Sequence, residues 1–316
     1  MQGFVEALQI TSGCVSILAC IVGLLPLYSS EKLRRDHFTQ IAFYTIFCWM
    51  LVSIAMTFGF PANGSTACQL QSFILLFFTP AAGGWMAALF FQYYSLAVFG
   101  KTFLGMPSIH FGSWLLGSLP AFFPLVKLEY GRPSIFPFSN GSGVCTFTAA
   151  TDTEYLQWFL SLLLVEAPLL LLFYFFVGAS MVRKFGSIGG PIQAVLVWAV
   201  LLSFMWIPIG IVGAIWISGS LEDNTINRDA FHLAYAWTAQ SSTCVAIVGI
   251  QHSAEVRRAW RALLIGESLD DALVKSDSVL EFTDTEATNS HQTRASGQQP
   301  TVNTVTCQQQ RRREEC

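Results

Sequence analysis

Apolar residues in this chain come in long unbroken blocks, without the alternation of half-buried strands or the narrow stripes of soluble helices. A bilayer core of about 30 Å takes roughly 20 such residues in one helix. Seven blocks approach or exceed that length: 5–27, 38–60, 68–99, 109–125, 155–180, 192–218 and 230–250. The segments between them are short except 126–154. The pattern predicts an all-α membrane protein, a seven-transmembrane helix bundle with its termini on opposite sides. Just after the last block, 252–264 sets Arg257, Arg258 and Arg261 against Val256, Trp260, Leu263 and Leu264. That segment reads as an amphipathic eighth helix lying on the leaflet beside anionic lipid. The organisation expected is a bundle plus this helix over 1–265, then a disordered cytoplasmic tail over 266–316. The tail is rich in Ser, Thr, Gln, Asp and Glu.

Composition supports the membrane reading. The chain is 53% hydrophobic and 12% charged, where a soluble domain carries about 25% charged residues. A net charge of −3 leaves no basic field to draw a polyanion, so no nucleic-acid partner is expected. Charge placement sets the orientation. Lys32, Arg34, Arg35, Lys101, Arg183, Lys184, Arg257, Arg258 and Arg261 fall on one side; Lys127, Arg132 and Arg228 fall on the other. The richer side belongs inside, so the N-terminus is expected outside. The sequons Asn63-Gly-Ser65 and Asn140-Gly-Ser142 both fall in loops already assigned outside, and both asparagines are candidate glycosylation sites. Glu6 stands where a cleaved signal would be basic, which suits an uncleaved first helix.

Of eight cysteines, Cys14, Cys20, Cys48 and Cys244 fall within predicted spans, and Cys307 and Cys316 in the reducing interior. Cys68 and Cys145 remain on the oxidising side. A disulfide between them is expected, pinning the long outer loop across the mouth of the bundle; the alternative is two free surface thiols.

Span three reads CQLQSFILLFFTPAAGGWMAALFFQYYSLAVFG, with Cys68-Gln69-x-Gln71, the Phe77-Phe78 pair and Trp85. Span seven carries a VAIV run followed by Glu255-Val256-Arg257-Arg258 and Trp260, and loop one carries Glu31-Lys32-Leu33-Arg34-Arg35. These features resemble the G-protein-coupled receptors of the cyclic-AMP-receptor-like (class E) group and their secretin/adhesion-like relatives. As architecture the resemblance covers about the first 265 residues; its sharp motifs cover spans three and seven. The Asp-Arg-Tyr triplet of rhodopsin-like receptors is replaced by Phe91-Gln92-Tyr93-Tyr94, and the Asn-Pro-x-x-Tyr motif is missing from span seven. The relatives' usual Asn and Tyr near Val245 and Gly249 are missing too, so coupling follows here from the family resemblance rather than from residues.

The resemblance implies a cell-surface receptor, multi-pass in the plasma membrane. It would sense a small molecule or short peptide and activate a heterotrimeric G protein as helix six shifts. Pro208 in span six is the candidate hinge, and Tyr93, Tyr94, Arg183 and Lys184 are the candidate G-protein-facing residues. Glu166 is an intramembrane carboxylate and so a candidate ligand contact; equally it is a neutral acid hydrogen-bonded across the bundle. Gln71, Trp206, Tyr235 and Trp237 join it as candidate ligand contacts, against the plainer reading of helix–helix packing. Gly83-Gly84 reads as a close helix approach. Phosphorylation of tail residues such as Ser276, Ser278 and Thr283 would suit arrestin recruitment.

No metal-ligand cluster, nucleophile motif or phosphate loop stands out, so no enzyme activity, metal or cofactor is expected. Span seven has no lysine for a retinal Schiff base. A seven-span transporter or channel, or a ligand-free accessory membrane protein, are the alternatives to a receptor. A ligand as anionic as cyclic AMP is not expected, because only Lys127, Arg132 and Arg228 lie on the outer side.

Overall fold

The computed structural model describes residues 2–122, 129–131, 144–148, 175–177, 179–180, 183, 240–252 and 254–267. All of them belong to the first of two compact units, Met1–Asp270; the second is Asp271–Cys316. The described part is mainly helical. Helix α1 spans Gln2–Ser29, α2 Glu31–Arg35, α3 His37–Met56, α4 Thr66–Phe99 and α5 Met106–Phe122. Two short strands follow, β1 (Glu129–Gly131) and β2 (Thr146–Thr148), then α6 (Ser241–His252) and α7 (Ala254–Ile265). Residues 175–177, 179–180 and 183 are also helical.

Among the described residues three helices are long and apolar enough to cross a membrane, over Glu6–Ser29, His37–Met56 and Thr66–Leu96. At 1.5 Å per residue the 34-residue α4 is about 51 Å long, well beyond a bilayer core. Among the described helices many polar residues are buried and many large apolar ones exposed. Gln9, Ser12, Ser16, Ser53, Gln71, Ser72, Gln92, Ser95, Ser113 and Ser242 are buried, while Val15, Leu18, Leu25, Phe111, Leu115 and Leu119 are exposed. Water would penalise that arrangement, whereas hydrocarbon favours it, because the polar groups find partners only inside. Several buried hydroxyls donate back to their own helix: Thr45 to the Ile41 carbonyl at 2.9 Å, Ser72 to Cys68 at 2.9 Å and Ser95 to Phe91 at 2.7 Å.

The polar links between blocks are helix caps. Ser30 accepts from the Leu33 N–H at 3.3 Å to start α2, and Asp36 accepts from Thr39 at 2.7 Å to start α3. Loop one thus holds a short helix that its charges concealed. Ser65 accepts from the Cys68 N–H at 3.2 Å to start α4, and Gly100, at φ 70°, ends it with its N–H on the Leu96 carbonyl. Span two, expected to run to residue 60, ends at Met56, and the 57–60 segment turns toward α4.

Helices α1, α3, α4 and α5 pack consecutively, α3 lying between α1 and α4. Small residues bring α4 and α5 together. A Cβ on Gly117 would overlap the Phe77 carbonyl and come within 2.9 Å of Ala81, and one on Gly84 would come within 3.0 Å of Ser113 Cα. Helix α6 packs on α1 and α3. The Ser16 and Thr243 hydroxyls lie 2.8 Å apart, and Ser53 donates to Ser242 at 2.7 Å. Cys20 faces the Ser242 carbonyl, and Ala246 lies against Gly23 one turn further along, so α6 runs parallel to α1.

The long loop differs from the all-α expectation. Within it β1 and β2 pair antiparallel, Glu129 opposite Thr148, Tyr130 opposite Phe147 and Gly131 opposite Thr146. Both strands rest against α4. The amphipathic helix α7 buries Val256, Ala259 and Ala262, with Trp260 and Leu263 half-buried. Leu264, expected on the apolar face that lies on the leaflet, is 79% exposed, and Arg257 and Arg261 on the same helix are exposed as well.

Candidate functional site

Helix α4 carries a buried glutamine near each end, and each organises a loop. At one end, called here the hairpin end, Gln71 is 0% exposed. Its Nε2 donates to the Ala55 carbonyl at 2.9 Å and to the Gly59 carbonyl at 3.1 Å. Its Oε1 accepts from the Cys145 N–H at 2.8 Å. Cys145 is bonded to Cys68 one turn earlier on α4, closing a sequence separation of 77. From the other side α1 grips the same turn. Gln9 donates to the Met56 carbonyl at 3.2 Å, and Glu6 accepts from the Phe60 N–H at 3.1 Å. One α3–α4 turn is therefore clasped by α1, α4 and the segment entering β2.

At the opposite, basic end, Gln92 is also 0% exposed. Its Nε2 lies 3.0 Å from His37 Nε2 and 2.5 Å from the Leu104 carbonyl. An amide nitrogen only donates, so the imidazole nitrogen accepts. The Gln92 Oε1 is buried and finds no partner among the described residues. Beside this lock Phe38 stacks on Tyr93, centroids 4.7 Å apart. Exposed cations sit over aromatic rings here, Arg34 at 5.7 Å from the Tyr28 centroid and Lys101 at 5.2 Å from that of Phe103.

Between the ends an aromatic cluster joins α3, α4 and α5. Tyr44 stacks on Trp85 at 4.7 Å, and His110 meets both rings edge-on at 4.7 Å. Trp114 donates to His110 Nδ1 at 3.3 Å. Among the described residues no group of three or more His, Cys, Asp or Glu could hold a metal ion.

The structure joins Cys68 to Cys145 and exposes Asn63 on the α3–α4 turn. Gln71, expected as a ligand contact, commits its amide to the protein itself. Tyr93 is packed on Phe38, Tyr94 lies edge-on to Phe99 at 6.2 Å, and Arg183 is exposed. Asn140, Glu166, Lys184, Trp206, Pro208, Tyr235 and Trp237 lie outside the described residues. Sequence reasoning missed Glu6, Gln9, His37, Gln92 and His110 as organising groups. Glu6 and Gln9, three residues apart on a largely apolar helix, share a face and were the available signal. No protein-family model matches the chain, and no curated protein matches it.

Proposed function

We propose that the chain is a seven-helix receptor, multi-pass in the plasma membrane, that binds a small extracellular molecule or short peptide and activates a heterotrimeric G protein. The observation that carries this reading is the Cys68–Cys145 bond. A structural disulfide belongs to an oxidising compartment, which makes the hairpin end the outer one. The exposed Asn63 at that end and the cations at the other agree in sense with the positive-inside rule. The parallel course of α1 and α6 supports an odd number of crossings, since an even number of spans must lie between α5 and α6. The apolar segments 155–180 and 192–218 are two such spans.

In this reading the hairpin roofs a ligand site reached from outside. Glu166, Trp206, Tyr235 and Trp237 contact the ligand, and Pro208 allows helix six to move. Tyr93, Tyr94, Arg183 and Lys184 face the G protein, and the tail binds arrestin once phosphorylated. Ligand and G protein favour the same conformation, so each strengthens the other's binding.

A G-protein dissociation assay in cells tests the proposal, comparing the full chain with Cys68→Ser and Glu166→Gln at matched surface expression. Basal coupling that both substitutions alter is the expected result. Absence of coupling to every G-protein family despite surface expression overturns it and directs attention to solute flux.

A further inference from the structure

The hydrogen bonds of Gln71 join three separate stretches of chain. Its amide donates twice to the α3–α4 turn and accepts once from the segment entering β2. All the capacity for donation is used, and the side chain is fully buried. A buried amide that loses its partners meets no water to replace them, so these bonds form and break as a set. The acceptor of the Cys145 N–H is a side chain of α4, and this bond does not pass through the sulfur bridge. The turn that Gln71 holds is the one that Glu6 and Gln9 hold from α1.

We propose that Gln71 is a positioning residue: a non-covalent latch that docks the β1–β2 hairpin on the α3–α4 turn independently of the disulfide and couples hairpin movement to α1 and α3. The latch is a property of the fold. Its signalling consequence rests on the receptor reading above, in which a ligand that displaces the hairpin loads the outer ends of both helices through this one amide. Reduction of the bridge alone leaves the hairpin docked, and loss of Gln71 loosens it even with the bridge intact.

Hydrogen–deuterium exchange on the full chain in lipid nanodiscs tests the latch, read at 144–148 and at 57–60. In the paired Cys68→Ser, Cys145→Ser protein, protection of 144–148 stays within about threefold of the parent, because a crosslink acts mainly on the unfolded chain. In Gln71→Leu it falls about tenfold with the bridge intact, and 57–60 loosens with it. While its carboxyl is protonated, Gln71→Glu keeps the acceptor for the Cys145 N–H and one of the two donors. It keeps part of the protection at pH 5, between the parent and Gln71→Leu at that pH, and loses it as the carboxyl ionises against the two carbonyls. Should Gln71→Leu fail to fold, the pH profile of Gln71→Glu decides. The proposal is overturned if removing the bridge alone frees 144–148 as fully as Gln71→Leu does, or if Gln71→Glu shows no pH-dependent difference from the parent. Exchange does not depend on coupling, so failure of the receptor reading leaves this result standing.

Discussion

Gln71 and Gln92 are the same residue on the same helix, both fully buried, yet they do different work. Gln71 is saturated: two carbonyls accept from it, one N–H donates to it, and a disulfide stands one turn away. Gln92 also spends its donors, on His37 and the Leu104 carbonyl, but its oxygen is buried without a partner among the described residues. An unmet buried acceptor costs about 1–3 kcal/mol. Among the described residues, then, Gln71 uses both its donors and its oxygen, and Gln92 uses only its donors.

The largest expected effect on global stability is removal of the bridge, which acts through the unfolded chain and leaves the hairpin docked. With a sequence separation of 77, the chain-entropy model gives a loss of about 4 kcal/mol, measurable as a fall in melting temperature in detergent on adding a reductant. Next comes the contrast between the glutamines. Gln71→Leu strands the Cys145 N–H and two carbonyls and is expected to cost about 2–3 kcal/mol. Gln92→Leu removes the unmet oxygen, and water can reach the exposed Leu104, so it stays within about 1 kcal/mol of the parent. Equal losses in thermal or denaturant unfolding would break the comparison. The smallest effect belongs to the exposed Glu31–Arg35 pair of α2. Glu31→Ala should shift stability by no more than about 0.5 kcal/mol, and a larger shift would mean that α2 has a role at the basic end beyond capping.

Much of this was legible in the sequence. The first three spans, the bridged cysteines and the amphipathic helix follow from block length, from where each cysteine falls relative to the blocks, and from the spacing of charges. The small-residue approach of α4 and α5 was readable at Gly83-Gly84. The hairpin was not, because its two strands are three residues long and hidden in a polar loop. Nor was the role of Gln71: a glutamine near a helix end reads equally as ligand contact or brace, and only its neighbours decide.

By itself the sequence determined that the chain is suited to hydrocarbon, where its long apolar blocks begin and end, and which cysteines lie outside those blocks. Those are local properties, since transfer of a helix into lipid depends on its own residues. Only the tertiary structure decided that Glu6, Gln9 and Gln71 converge on one turn, that Gln92 reaches His37 and Leu104, and that α6 lies parallel to α1. Such contacts join residues far apart in the chain, and their partners are chosen by helix packing, which no single segment encodes.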